Sequence, residues 1–271
     1  MASHSSIHKY RSGSWAITAR LFLLSLLLSP PLLAETVHIA VASNFVATLR
    51  LLTTAFGIDS PHEFKISSAS TGKLFAQIKH GAPFDVFLAA DAKRPGLLAA
   101  DGYADPKSLF TYALGRLALW RPVGVGDNLT GPEILNRTTG RLAIANPKTA
   151  PYGKAAEETL RALGLWKDWQ PKLVRGENIA QTYQFVASGG AESGFIALSQ
   201  FPGHGVSKEE SKKPRGQLWI VPLSLHAPLR QQAVLTAQGT NNRGAGKFMG
   251  FLKSPKARKI IRTQGYDLPD S

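Results

Sequence analysis

Residues 63–91 read EFKISSASTGKLFAQIKHGAPFDVFLAAD, and how this stretch divides decides the fold. Glu63 to Ser67 alternates polar and apolar residues, the period of a half-buried strand. From about Lys73 to Lys79, Leu74 and Ile78 stand four apart and mark one apolar helix face. Gly81-Ala82-Pro83 ends that helix. Phe84 to Ala89 (FDVFLA) is then a near-continuous apolar run, which suits a parallel strand covered on both faces. Asp91 is placed to cap a further helix. The Thr71-Gly72-Lys73 triplet invites a nucleotide P-loop reading, which needs G-x-x-x-x-G-K-[S/T]. With Gly72-Lys73 in the GK slots, Ser67 replaces the first glycine and Leu74 the final hydroxyl, so the motif fails twice.

The same alternation runs along the rest of the chain. Val37 to Ala42 (VHIAVA) reads as a strand and Phe45 to Phe56 as a helix. Leu109 to Trp120 (LFTYALGRLALW) reads as one long extended run. After it come a strand at Arg141–Ala145, a helix at Gly153–Leu163, a strand at Lys172–Arg175, a helix at Ile179–Val186 and a strand at Gly194–Leu198. Gln217 to Pro222 and Ala233 to Ala237 are extended, and a final amphipathic helix or pair spans Asn242 to Arg262. Repeated strand–helix alternation implies open, mostly parallel sheets flanked by helices. Two such blocks, joined by extended segments near 112–120 and 217–223, predict two α/β lobes with two crossover hinge strands. The divisions are lobe I at 35–116 and 224–271, and lobe II at 117–223.

The beginning of the chain is a different kind of segment. His8-Lys9-Tyr10-Arg11 and Arg20 are followed by the apolar run Leu21–Leu28, then Pro30-Pro31 and Ala34. The run is too short to span a bilayer and suits a secretion signal over residues 1–34, with cleavage after Ala34 and an uncleaved anchor as the alternative. That predicts an exported mature protein. With no Cys, disulfides, thiolate metal sites and a lipid-modified cysteine are all excluded. The chain carries a net charge of +14; without Lys9, Arg11 and Arg20 it keeps 29 basic and 18 acidic residues, net +11. The basic residues are scattered, and the densest run, Lys208–Arg215 (KEESKKPR), contains two glutamates. A solvated loop fits it better than a nucleic-acid patch, and a positive field aids capture of small anions.

The candidate chemistry lies at four places where a strand's carboxyl end feeds a helix start. These are Ala42-Ser43-Asn44, Ser68-Ala69-Ser70-Thr71-Gly72, Asn146 to Gly153 (NPKTAPYG), and Arg175-Gly176-Glu177-Asn178-Ile179. Ligands of open α/β sheets sit beyond such carboxyl ends. Helix N-termini offer unsatisfied N–H groups and the positive end of the dipole. Two junctions per block, facing each other, would make a cage of donors. Ordinary capping by Ser, Thr or Asn explains any one junction alone; their matched occurrence in both blocks favours a site.

On these residues the chain resembles the periplasmic molybdate-binding components of molybdate ABC transporters. The resemblance runs from Val37 to about Pro269. It is carried by VHIAVASNF (37–45), SASTGKLFAQIKHGAPFDVFLAAD (68–91), ANPKTAPYGKAAEETL (145–160), GENIAQTYQFVASGGAESGFIAL (176–198), PLRQQAVL (228–235) and the segment from Lys247-Phe248 to Gly265-Tyr266. It implies a type 2 periplasmic binding protein: a monomer that binds molybdate or tungstate, needs no cofactor, and delivers its load to an ABC permease of the inner membrane. Hydroxyls and backbone amides from four loops bind the oxyanion in that family. The resemblance places Ser43, Asn44 and Thr71 on the anion from the first lobe, and Tyr152 and Ile179, chiefly through backbone N–H, from the second. Some members add a tyrosine hydroxyl at the position of Ala197; here that contact is expected to be missing, with Tyr152 contributing a hydroxyl or closing the pocket. Lys73 is expected to face solvent.

Neutral donors are sufficient in principle. Hydrogen bonds to a charged group contribute roughly 1.5–3 kcal/mol each, so about six or seven give on the order of 10–20 kcal/mol before association and closure are subtracted. An all-donor cage suits a fully deprotonated oxyanion, whereas hydrogen phosphate carries a proton that needs an acceptor. Sulfate differs only in size, and molybdate and tungstate are not separated by these residues. Among rival readings, an enzyme could pair Asp85 with Asp91, but the first lies in an apolar run and the second reads as a cap. His38, His62, His80, His204 and His226 show no ligand or triad spacing. A ferric-ion or organic-solute carrier of similar architecture is a further rival; a hard-cation site would want grouped carboxylates and phenolates, whereas these loops offer hydroxyls and amides, and the chain has no room for the DNA-binding module of a regulator.

Overall fold

In the computed structural model, which describes residues 1–2, 35–58, 62–122, 129–202 and 216–269, the alternating elements sort into two five-stranded sheets. The strands are β1 (Thr36–Ala42), β2 (Glu63–Ala69), β3 (Val86–Leu88), β4 (Phe110–Gly115), β5 (Leu117–Arg121), β6 (Leu142–Ala145), β7 (Leu173–Gly176), β8 (Ser193–Ala197), β9 (Gln217–Ile220) and β10 (Leu229–Leu235). The helices are α1 (Val46–Gly57), α2 (Thr71–Lys79), α3 (Lys93–Ala100), α4 (Gly131–Arg137), α5 (Pro151–Ala162), α6 (Trp166–Trp169), α7 (Ile179–Ala187), α8 (Arg243–Leu252) and α9 (Pro255–Thr263). Positions 3–34, within the segment expected to be a secretion signal, and the run Lys208–Arg215 lie outside the described residues.

The first sheet has the order β2-β1-β3-β10-β4 and the second β7-β6-β8-β5-β9. Each holds three mutually parallel strands followed by one that runs against its neighbours, β10 in the first and β5 in the second. Those two reversed strands carry the chain between the sheets. The apolar run Leu109–Trp120 is therefore not one strand: it divides at Arg116, with β4 in the first sheet and β5 in the second. The return passes through residues 221–228.

Strand period explains why the central strands are apolar throughout. Along β1, Val37, Ile39 and Val41 join Phe45, Leu49 and Phe248 on one face of the sheet, while Ala40 joins Leu74, Phe87 and Leu98 on the other. The second sheet divides in the same way, Leu142, Ile144 and Phe195 against Ala143, Ile196 and Val186. The C-terminal run is two helices. Pro255 opens α9, Ser254 caps it by accepting from the Ala257 N–H (3.2 Å), and α8 packs on the first sheet while α9 packs on α1 and α8. Asp91 accepts from the Arg94 N–H (2.9 Å) at the head of α3, although the capping position itself is Ala92. Helix α4 has its own start signal, a capping box of Thr130 and Glu133.

Candidate anion-binding site

The carboxyl ends of β1, β2, β6 and β7 face one another across the cleft, and the helices that follow start there. A short 3₁₀ turn, Ser43–Phe45, follows β1; α2, α5 and α7 follow the other three. Ser43, Asn44, Ser70, Thr71, Tyr152 and Ile179 line one small cavity between them, with Ala42, Ala90, Ala150 and Pro151 filling the gaps. Its cavity volume is about 10 Å³, close to the room that one water needs. That is below the ~300–1,000 Å³ of pockets that take drug-sized ligands. The structure thus brings all five residues singled out in the sequence to the same cavity, and adds Ser70.

Local sequence decides which donors stay unspent. In α5, Pro151 at the first position has no N–H, so the Tyr152 N–H is the first available donor. Gly153 lets this helix start close against β6: a Cβ there would lie 2.1 Å from the Ala145 carbonyl oxygen. In α7, Asn178 caps the Gln181 N–H (3.0 Å) and leaves the Ile179 N–H free. In α2, Ser70 occupies the capping position, yet its hydroxyl makes no capping bond and is buried without a partner. The Thr71 hydroxyl accepts from the Ala90 N–H (3.1 Å), and the Ser43 hydroxyl from the Ala180 N–H (3.4 Å). Each hydroxyl is oriented by what it accepts and keeps its own proton to give.

No Lys, Arg, Asp or Glu lines this cavity. Lys73, half exposed, points out of it and pairs with Glu177 across the cleft at 2.5 Å. Further bonds hold the two sides together. The Gly72 N–H donates to Thr149 O (2.9 Å), Arg94 Nη2 to Lys148 O (3.2 Å), and the Ser199 hydroxyl to Asn44 O (3.3 Å). The cleft is closed.

Behind the cavity lies a buried polar network that the sequence did not point to. Gln231 Oε1 accepts from Asn44 Nδ2 (2.9 Å) and the Tyr112 hydroxyl (3.1 Å), while Gln231 Nε2 donates to the Tyr152 hydroxyl (3.1 Å). The Tyr266 hydroxyl donates to Asn44 O (2.8 Å) or Ser199 Oγ (2.9 Å). Burial pushes all three phenols up: Tyr112 and Tyr152 well above the ordinary value, and Tyr266 to about 12 against the opposing pull of its hydrogen bonds. They stay neutral at any ordinary pH. Tyr152 thus lines the cavity while its hydroxyl turns to Gln231 on β10. Ala197 is buried in the core of the second sheet.

The carboxylates of the enzyme reading have structural partners. Asp85 accepts from the His38 N–H (2.7 Å), and Asp91 is joined to Arg94 by both the backbone bond and an ion pair. Among the described residues, no group of three or more His, Asp or Glu could hold a metal ion.

Two α/β lobes on crossover strands, closing helix N-termini over a small cavity, define a two-lobed solute-binding protein of the periplasmic type. Residues 37–267 match the family described as bacterial extracellular solute-binding protein, and the chain belongs to that family. It is 43% identical over 237 residues to the molybdate-binding protein ModA of Azotobacter vinelandii, covering 87% of this chain and 91% of that protein. It is 41% identical over 241 residues to ModA of Rhodobacter capsulatus, covering 88% and 91%. The solved periplasmic molybdate-binding protein of Azotobacter vinelandii superposes with a TM-score of 0.79 at 37% identity, over 86% of this chain and 100% of that one.

Proposed function

We propose that this chain is an exported, monomeric receptor that binds molybdate, and tungstate with it, between its lobes and passes it to an ABC permease. The observation that carries the reading is the cavity's set of unspent donors. The hydroxyls of Ser43, Ser70 and Thr71 and the first-turn N–H groups of Thr71, Tyr152 and Ile179 converge from four helix starts, with no charged side chain among them. Such a set compensates each oxygen of a tetrahedral dianion by hydrogen bonds and helix dipoles and needs no counter-ion. It offers a metal cation no carboxylate, imidazole or thiolate, and it holds no base beside a nucleophile, so no turnover is expected. The cavity's size suits one small ion. Relatives above 40% identity that carry the name molybdate-binding protein support the choice of molybdate. Residues 1–34, read as a secretion signal, support export.

Isothermal titration calorimetry with molybdate, tungstate, sulfate, phosphate and ferric iron tests the reading. One site per chain is expected for molybdate and tungstate, with sub-micromolar affinity and far weaker response to the rest. Sulfate binding more tightly than molybdate, or an iron-only response, would overturn it.

A further inference from the structure

One group in the cavity wall has the wrong polarity for an anion. Asn44, buried and lining the cavity, turns its Nδ2 toward Gln231 Oε1 and the Tyr266 hydroxyl, and its Oδ1 is buried without a partner. A second loose end lies one bond further on. Gln231 Nε2 donates to the Tyr152 hydroxyl, which leaves that hydroxyl's own proton without an acceptor among the described residues. Tyr112, meanwhile, has one proton and two acceptors within 3.1 Å, Gln231 Oε1 and Ala89 O.

Both loose ends vanish if the two carboxamides turn over together. A half-turn exchanges the donor and acceptor ends of an amide while heavy atoms keep nearly the same places. Gln231 Nε2 then donates to Asn44 Oδ1, the Tyr152 hydroxyl donates to Gln231 Oε1, and Tyr112 gives its proton to Ala89 O. Asn44 Nδ2 then takes the unpartnered place of Oδ1 as one more donor on the cavity wall. The first polarity leaves an unpartnered acceptor on a residue of the cavity wall, and the second leaves an unpartnered donor there, which an oxyanion can satisfy.

We propose that Gln231 is a positioning residue for the anion site, setting which end of the Asn44 amide faces the cavity and tying that choice to Tyr152 in the opposite lobe. The proposal rests on the oxyanion reading. Gln231 is fully buried on β10, at the bulge between Gln231 and Gln232 where the pairing with β4 slips. A bulge re-aims a side chain out of the regular pleat. On the other crossover, Gly115 makes room: a Cβ there would lie 2.3 Å from the Tyr152 hydroxyl and 2.7 Å from Gln231 Nε2. The relay thus stands where both crossover strands pass and joins one anion-site residue from each lobe. The titratable groups facing it are Tyr112 from β4, Tyr152 from α5 and Tyr266 from the segment after α9, with Asp91 the charged group that bears on Tyr112.

The test is Gln231→Glu, titrated with tungstate beside the wild type from about pH 5.5 to about pH 8, a window in which a buried carboxyl titrates. An ionised carboxylate only accepts, so it holds Asn44 Nδ2 inward; a protonated one regains a donor. Affinity is expected to fall about tenfold or more at the alkaline end, the loss of a charged-group donor, and to recover toward the acid end, while the wild type stays flat. Wild-type affinity in the variant, or a loss that ignores pH, overturns the proposal. If the variant does not fold, wild-type protein labelled at glutamine side-chain nitrogen decides. The slowest-exchanging carboxamide signal should shift on saturation with tungstate, and an unmoved signal overturns the proposal. Failure of the wild type to bind tungstate or molybdate is the separate result that sinks the oxyanion reading and this proposal with it.

Discussion

Ser43 and Thr71 each use a lone pair on a backbone N–H, from Ala180 and Ala90, and so aim a proton elsewhere. If those protons go to the anion, Ser43→Ala or Thr71→Ala removes one charge-assisted bond, about 1.5–3 kcal/mol, and weakens molybdate binding roughly tenfold or more. The double substitution should lose at least as much, by calorimetry; unchanged affinity would mean the hydroxyls serve only the fold. The buried phenols make a separate prediction about pH. A group whose folded pKa is raised gives stability that is complete below its unfolded value and is lost as pH rises through the folded one. For Tyr266 that window runs from the ordinary 10.0 up to about 12. Denaturant melts should therefore show no tyrosine-linked loss at neutral pH and a steep one above about pH 10. Tyr266→Phe should flatten part of that alkaline fall, and a slope identical to wild type would count against the assignment. At this scale the sequence was half legible. Hydroxyls at helix starts announce themselves by position, but Ser70 reads as an ordinary cap until its bond is found missing. Gln231 meets Asn44 from 187 positions away, which no local pattern encodes.

At the scale of elements, strand-to-helix junctions were readable because period and capping chemistry are local. Val37–Ala42 and Ile179–Val186 fall within one or two residues of β1 and α7. The split of Leu109–Trp120 was not read, since β4 and β5 follow end to end in different sheets, and the Gly115-Arg116 pair that marks the break also fits inside one continuous strand. Helix α6 is a single turn with too few residues to show a period. The tightest junction is between β6 and α5, where Gly153 touches the Ala145 carbonyl. Gly153→Ala should push the first turn of α5 off the strand end. Overpacking of this kind costs about 1–3 kcal/mol of stability, and it also displaces the Tyr152 N–H. Chemical denaturation and molybdate titration should both register the change. A loss of stability with intact affinity would show that Tyr152 is not part of the anion's shell.

At the scale of the whole molecule, contacts that exist only when the cleft is shut act on affinity and not on the stability of either lobe. The Lys73–Glu177 pair is such a contact, reaching from α2 to the turn before α7. Both side chains are about half exposed, so the pair is screened and worth at most ~1 kcal/mol. Lys73→Glu would set two like charges against closure. It should weaken molybdate binding about two- to fivefold at low salt, leave the ligand-free melting curve in place, and lose its effect as ionic strength rises. Adding Glu177→Lys restores opposite charges in reversed order and should recover most of the affinity. The net positive charge of the chain speeds association, an effect that salt screens in the wild type and the single variant alike, so the comparison that matters is the dissociation rate, by stopped-flow fluorescence. Faster dissociation in Lys73→Glu that the second substitution slows again identifies a latch across the cleft. Equal dissociation rates in all three proteins would leave closure to the backbone bond from Gly72 to Thr149, the Arg94 contact and the anion itself.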